Sequence, residues 1–370
     1  MAGQSTTLRH ILSQQKPLVP CTTTATKNQS LKAWPTFDGS VTVWAEFTLK
    51  NLNESYGHVL DFAVPEQMLL VPRPDQALAG VVISRAEDIN HLISWNHRLM
   101  QPTLQFAKSH LRLHPGVILH HRYSTADKSA LASLPGGPKR LAVDHVIALD
   151  DYPGPALVVG IGRPSSKWSG RRLMSQLNKP AKALLWPLRQ LANICSNAQT
   201  RYGYIQTDEE MVVCCFSEGL EGWKVAIMPV PWSRHGVDVL TTELALWWLC
   251  MLAMSAHHHR AIVGEREMVK INDWDVVYLD EQRGWVRRHP YSNVEIPTSP
   301  PPPLDYSTRF PGNAAAGPGP HHAHDWFNIG PSAYGDLANI VDLNAANTDD
   351  LNFDGRDLYS LDLPTFPSFR

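Results

Sequence analysis

The feature that most constrains this chain is a succession of short apolar runs between residues 117 and 230, each of strand length and each ended by turn-forming residues. Residues 117–123, 142–149 and 156–163 are rich in β-branched side chains, and Gly, Pro and Asp separate them. Runs at 204–207, 211–216 and 223–230 follow the same rule. Helical periodicity interrupts them. Ser84-Arg-Ala-Glu87 reads as a capping box, in which a Ser N-cap and a Glu three residues on satisfy each other's orphan amides. Ile89, Leu92, Ile93 and Leu99 follow at helical spacing, which predicts a helix from about residue 85 to Pro102, with more helix through 103–112. Pro187 is placed to open a second helix with the stripe Leu188, Leu191, Ala192, Cys195 and Ala198, ending near Gly203. A third helix is expected over 239–256. The order helix, three strands, helix, strands, helix points to a mixed α/β (α+β) architecture around a mixed sheet.

The third helix also bears on membrane insertion. Leu244 to Ala256 is the most hydrophobic stretch, but its 13 residues fall short of the roughly 20 that cross a bilayer. Glu243 precedes it, so a buried core helix is expected and no membrane association. The 370 residues, 43% of them hydrophobic, suffice for one large or two small domains. Residues 1–35 are rich in Thr, Ser and Gln without apolar periodicity, and a disordered arm is expected there. Residues 36–285 are densely apolar and form the expected folded body. From 286 the chain enters a Pro-rich stretch, Pro297-Thr-Ser-Pro-Pro-Pro-Pro303, and then an acidic tail, and 286–370 is expected to be disordered.

Charge is unevenly shared. Residues 291–370 hold ten acids against three arginines, which leaves 25 acids and 30 Lys/Arg in residues 1–290. A mildly basic body is compatible with a phosphate-bearing partner and equally with an ordinary solvated surface. The five cysteines show no CxxC pair and no scaffold spacing, so reduced thiols are expected. The first residues lack the apolar core of a secretory signal, which gives an intracellular, nuclear or cytoplasmic, expectation. The absence of acids before Asp38 keeps a mitochondrial leader as the second choice.

Most chemical motifs are missing. Gly160-Ile-Gly162 ends a strand as a dinucleotide fingerprint would, but the third glycine is absent and Pro164 stands where the phosphate-binding helix would start. There is no GxxxxGK[ST], HExxH, GxSxG or HRD/DFG pair. Histidines cluster at His120-His121, at His257-His258-His259 and at His321-His322-His324. Without a carboxylate or cysteine geometry to complete a site, they are expected to be solvated. Trp232, Trp247 and Trp248 are expected to pack in the core.

One constellation carries chemistry. Asp144 stands at the start of one strand, and Gly160-Ile161-Gly162-Arg163 ends the next. Side chains at i and i+2 share a strand face, so Ile161 and Arg163 point the same way. This spacing resembles that of the PD-(D/E)XK nuclease superfamily, in which an Asp and an acid-x-Lys triplet on neighbouring strands hold Mg2+ and position a water. More narrowly, the chain resembles a group of fungal PD-(D/E)XK-like proteins. Val-Gly-Ile-Gly-Arg-Pro-Ser-Ser-Lys-Trp-Ser169, Pro187-Leu-Arg-Gln190, Arg201-Tyr-Gly-Tyr-Ile-Gln-Thr-Asp-Glu-Glu210, Pro231-Trp232 and Leu240-Thr-Thr-Glu-Leu-Ala-Leu-Trp-Trp-Leu249 carry the likeness. They span residues 85–256, about half the chain. The resemblance implies a restriction-endonuclease-like core with disordered N- and C-terminal segments.

The sequence departs from that family at the chemistry itself. The family's usual acid falls at Ile161 and its usual lysine at Arg163. Asp144, with the Gly162 carbonyl, is left as the candidate ligand for a weakly held Mg2+. Arg163 can clamp a phosphate but is a poor stand-in for a water-positioning lysine. Gln190 matches a helix glutamine that the superfamily aims at its active site, though Ile194 replaces a frequent Tyr; its ordinary reading is an exposed helix residue. Lys167 is a candidate phosphate contact or an exposed loop lysine. Asp144 also reads as a polar strand-start residue, and Glu87 as the capping partner. The expectation is a catalytically impaired, pseudo-nuclease protein that binds DNA, RNA or protein. Two alternatives stay open: a residual Mg2+-dependent nuclease, and a regulatory protein whose Asp-Leu-rich tail at 325–365 docks on a protein partner.

Overall fold

The computed structural model describes residues 5–24, 28, 30–37, 41–124, 143–149, 156–220 and 222–300. At the head of the chain β1 (Ser5–Thr7), α1 (Leu8–Leu12), β2 (Val41–Val43), α2 (Leu49–Leu60), β3 (Ala63–Pro65) and α3 (Pro74–Ala77) precede the long helix α4 (Asn90–His110). The strands β4 (Leu119–Tyr123), β5 (His145–Leu149) and β6 (Ala156–Gly162) lead through α5 (Gly170–Met174) and α6 (Lys182–Asn197) to β7 (Tyr202–Gln206), β8 (Glu210–Glu218) and β9 (Trp223–Pro231). The helices α7 (Thr242–Ser255) and α8 (His257–Arg260) are followed by β10 (Asp275–Tyr278), β11 (Trp285–Arg288) and β12 (Glu295–Pro297).

Seven strands form one mixed sheet in the order β2-β9-β8-β7-β6-β5-β4. Pairing is antiparallel except at β6–β7 and β2–β9, which are parallel. The α5–α6 connection makes the parallel β6–β7 pair possible, since parallel neighbours need a crossover. Strand alternation then divides the core in two. Met211, Val213 and Cys215 of β8 face the cluster that contains α4 and α7, whereas Val212, Cys214 and Phe216 face the cluster under α6. Both faces of the central strands are therefore buried, which is why they read as continuous apolar runs. The molecule is mixed α/β, as its element order requires.

The third helix is buried throughout. Every residue from Thr242 to Met254 is inaccessible, Trp247 and Trp248 included, so α7 has no polar face. Among the described residues no helix is long and apolar enough to cross a membrane.

Several boundaries differ from the sequence expectation. The arm at 1–35 is not a disordered segment over its described part: α1 buries Leu8, Ile11 and Leu12, and Lys16 is buried against Glu243 of α7. The α1 stripe is one turn long, too short to register as periodicity in a polar background. The folded body also extends past 285. The strands β11 and β12 close a three-stranded antiparallel sheet, and Tyr291, 2% exposed, donates to the Val269 carbonyl and accepts from Arg201. The tail from 301 onward, with its Asp-Leu pairs and His321, His322 and His324, lies outside the described residues.

Helix α4 runs straight through Pro102 to His110. It starts not on Ser84 and Glu87 but on a short 3-10 turn capped by Asp88, whose carboxylate accepts from the amides of Ser84 and Arg85 and from the Ser84 hydroxyl. The helix α6 begins at Lys182, five residues before Pro187, which sits inside it, and it ends at Asn197.

Candidate functional site

Three residues singled out in the sequence converge on the α6 side of the sheet. Asp144 immediately precedes β5, and its Oδ2 accepts from the Gly162 amide at 2.8 Å. Arg163 follows β6; its Nη1 stands 4.0 Å from Asp144 Oδ2 and donates to the Gly162 carbonyl. Its Nη2 donates to Gln190 Oε1 from α6. Gln190 is accordingly buried rather than exposed. Burial pushes the Asp144 carboxyl above its ordinary value, against the pull of Arg163 and the Gly162 amide. It likewise lowers Arg163, which Asp144 opposes.

The remaining position decides what this arrangement can do. Ile161 is fully buried in the apolar cluster with Leu188, Leu191 and Ile194. A Mg2+ ion needs an octahedron of hard oxygens, usually including one or two carboxylates. Here one carboxylate is present and already accepts a backbone amide, the Gly162 carbonyl is taken by Arg163, and a fixed guanidinium occupies the cation's place. These residues do not fit Mg2+, and no hydrolytic step follows from them.

Lys167 is not part of this cluster of contacts. It lies in the turn after β6, where its amide bonds the Pro164 carbonyl and its own carbonyl accepts from Asn28. The other polar residues of that turn are structural. Asp208 accepts from the amide and hydroxyl of Ser165, and the buried Glu210 accepts from Ser169 Oγ and the Gly170 amide at the start of α5. The paired Ser-Ser-Lys-Trp-Ser and Thr-Asp-Glu-Glu segments thus hold each other. A further pattern was not singled out from the sequence: from Arg163 to Thr207 there are eight Lys and Arg and no Asp or Glu. Arg171, Arg172, Lys179 and Lys182 of this stretch are exposed.

The opposite face of β5 holds a second constellation. His145 alternates with Asp144 and points toward α4, where it meets His121 of β4 and His97 of α4. In the β4–β5 ladder His121 stands opposite Ile147, which puts it diagonal to His145 on the same face. One ring nitrogen from each of the three lies within 4.8 Å of the others. His145 is wholly buried, and its Nδ1 is 2.7 Å from the Tyr204 hydroxyl. The Tyr204 ring can reach it because residue 160 is glycine: a Cβ there would lie 2.3 Å from the ring. Burial pushes His145 down to about 3, with His97 adding to the effect. Burial lowers His121 and His97 as well.

This trio corrects the expectation of a solvated residue at His121, whereas His120 is exposed. The sequence hid it because its members are 24 residues apart on three different elements, and only the β4–β5 register and the α4 crossing bring them together. His259 is buried too, bonded to Ser255. Comparison with protein-family models, with curated proteins and with solved structures finds no match for this chain.

Proposed function

We propose that this chain is a catalytically impaired, PD-(D/E)XK nuclease-like protein that acts by binding nucleic acid without cutting it. The observation that carries the reading is the Asp144–Arg163–Gln190 cluster built around a buried Ile161. The helix, three-strand, helix, strand order of α4 to β7 supports the nuclease-like resemblance. Metal-assisted cleavage needs an activated water and charge neutralisation at the leaving oxygen, and a single carboxylate balanced by a guanidinium supplies neither. Arg163 spends its guanidinium on Gln190, Gly162 and Asp144, and Arg171 pairs with Glu209 and Glu210, so phosphate contact is assigned to the other exposed cations of the acid-free stretch, Arg172, Lys179 and Lys182, together with Lys167. Lysines and arginines that neutralise phosphates give binding that falls steeply with salt.

The test is cleavage and binding measured on one preparation of the full chain, with labelled DNA and RNA and with Mg2+, Mn2+ or EDTA. The expected result is no cleavage, together with binding that weakens steeply between low and physiological salt. Arg172→Glu/Lys179→Glu should weaken that binding by about tenfold or more, because each reversal removes one contact and adds one repulsion. Ile161→Glu/Arg163→Lys restores the motif on paper but places a carboxylate in an apolar cluster, and it should lower stability by about 2–5 kcal/mol without creating cleavage. Metal-dependent cleavage by the wild-type chain, abolished in Asp144→Ala, would reverse the reading. Absence of nucleic-acid binding would move the function to a protein partner.

A further inference from the structure

We propose that His97, His121 and His145 form a binding site for one divalent transition-metal ion of the zinc class, with a fourth position open to water or to a ligand oxygen. The inference is independent of the nuclease-like reading, because the trio lies on the face of the sheet away from Asp144, Arg163 and Gln190.

The first argument is what the three rings lack. His97 Nδ1, both ring nitrogens of His121 and His145 Nε2 are buried without a hydrogen-bond partner. Folded proteins rarely leave such groups unpaired, since each costs roughly 1–3 kcal/mol of lost solvation. Four of them at one spot call for a common partner. A cation that accepts lone pairs is such a partner for three of the four, one nitrogen of each ring.

The second argument is donor type. The set is all imidazole, with no carboxylate among the three. Imidazole suits Zn2+, Co2+, Ni2+, Cu2+ and Fe2+, whereas Mg2+ and Ca2+ require oxygen ligands. The spacing agrees. Zinc bonds nitrogen at about 2.0–2.1 Å, which sets ligand nitrogens roughly 3.4 Å apart in a tetrahedron. The trio spans up to 4.8 Å, so modest side-chain rotation closes it. Closed structural sites use four protein ligands, while three ligands leave a position for water or substrate. His97 and His121 are half-buried as residues, while His145 is fully buried.

The third argument is what surrounds the ligands. Metal-binding histidines donate their other ring N–H to a fixed partner, which sets the tautomer and the ring orientation. His145 meets this condition: with Nδ1 donating to the Tyr204 hydroxyl, Nε2 is left with the lone pair and without a hydrogen-bond partner. Tyr204 is itself wholly buried, with its ring packed against the bare backbone of Gly160. The His97 ring stacks on Tyr123, with centroids 4.2 Å apart.

The test uses the full chain, stripped with a chelator and titrated with Zn2+ against a chromophoric competitor and, separately, with Co2+. To remove the competing imidazoles of the other histidine clusters it is run in a background carrying His257→Ala, His258→Ala, His321→Ala, His322→Ala and His324→Ala. The expected result is one equivalent of tightly held Zn2+, a Co2+ complex with the intense visible absorption of four-coordination, and a melting temperature that rises with added Zn2+. His97→Gln and His121→Gln, both at half-buried positions, should each abolish all three signals. Tyr204→Phe should retain one equivalent with affinity reduced about tenfold or more. The proposal is overturned if the background chain binds no stoichiometric metal, or if binding survives in both glutamine variants.

Discussion

Gly160 and Gly162 flank Ile161 on β6, and each gives up its side chain to a different neighbour. A Cβ on Gly160 would meet the Tyr204 ring at 2.3 Å, and one on Gly162 would meet Ile89 Cγ2 at 2.5 Å. The pair therefore serves close packing of β6 against β7 and against the start of α4, where a dinucleotide fingerprint would use its glycines to approach phosphate. Tyr204 is inaccessible and bonded to His145, so it cannot swing aside. Gly160→Ala is expected to lower stability by about 1–3 kcal/mol, the cost of overpacking a filled core. Urea denaturation measures this; an unchanged midpoint would show that the ring moves freely. At this scale the sequence reveals Asp144, Arg163 and Gln190 because a motif places them. It does not show that Arg163 is consumed by internal partners, since hydrogen bonds between residues 27 positions apart leave no periodic trace.

The element scale is where most of the fold can be read directly. All six strand runs between 117 and 230 correspond to strands, and the 239–256 helix corresponds to α7, because length and β-branching carry those signals. Helix starts are harder to place. The α4 entry was expected on Glu87, which is exposed, yet the carboxylate one residue later does the capping. Either acid satisfies the spacing within one residue, and only the backbone path decides between them. The hydrogen bonds that Asp88 accepts from Arg85 and Ser84 outweigh its burial and hold its carboxyl down to about 2, below its ordinary 3.8. A depressed carboxylate stabilises the fold above its unfolded value and loses that contribution as pH falls through the folded one. Asp88→Ala should therefore cost about 1–2 kcal/mol at neutral pH. The gap from wild type should shrink as pH falls from 3.8 toward about 2. Chemical denaturation at neutral pH and at acid pH checks this, and a gap that stays constant with pH would assign the loss to packing instead.

Across the whole molecule, one buried ion pair ties the first residues of the chain to the middle of its core. Lys16 Nζ lies 2.6 Å from both carboxylate oxygens of Glu243, with the two side chains 1% and 3% exposed. Trp95 Nε1 of α4 donates to Glu243 Oε1 at 3.0 Å, Thr242 Oγ1 bonds both partners, and the ammonium stands 4.0 Å over the Trp232 ring. Composition could not reveal this, because a lysine in a polar stretch reads as solvated until its partner 227 positions away is known. Desolvation of a buried pair offsets most of its Coulomb gain, so the pair itself adds little net stability. Removing one partner leaves the other charge stranded. Lys16→Met and Glu243→Gln should each cost about 3–5 kcal/mol. Lys16→Met/Glu243→Leu, which strands no charge, should recover a large part of that loss. A double-mutant cycle by chemical denaturation measures the coupling. Additive losses would mean that the two charges are solvated separately and that the head of the chain is not anchored through them. Strong coupling would make residues 5–24 part of the folded body, held against the buried helix α7 on the α4 face of the sheet.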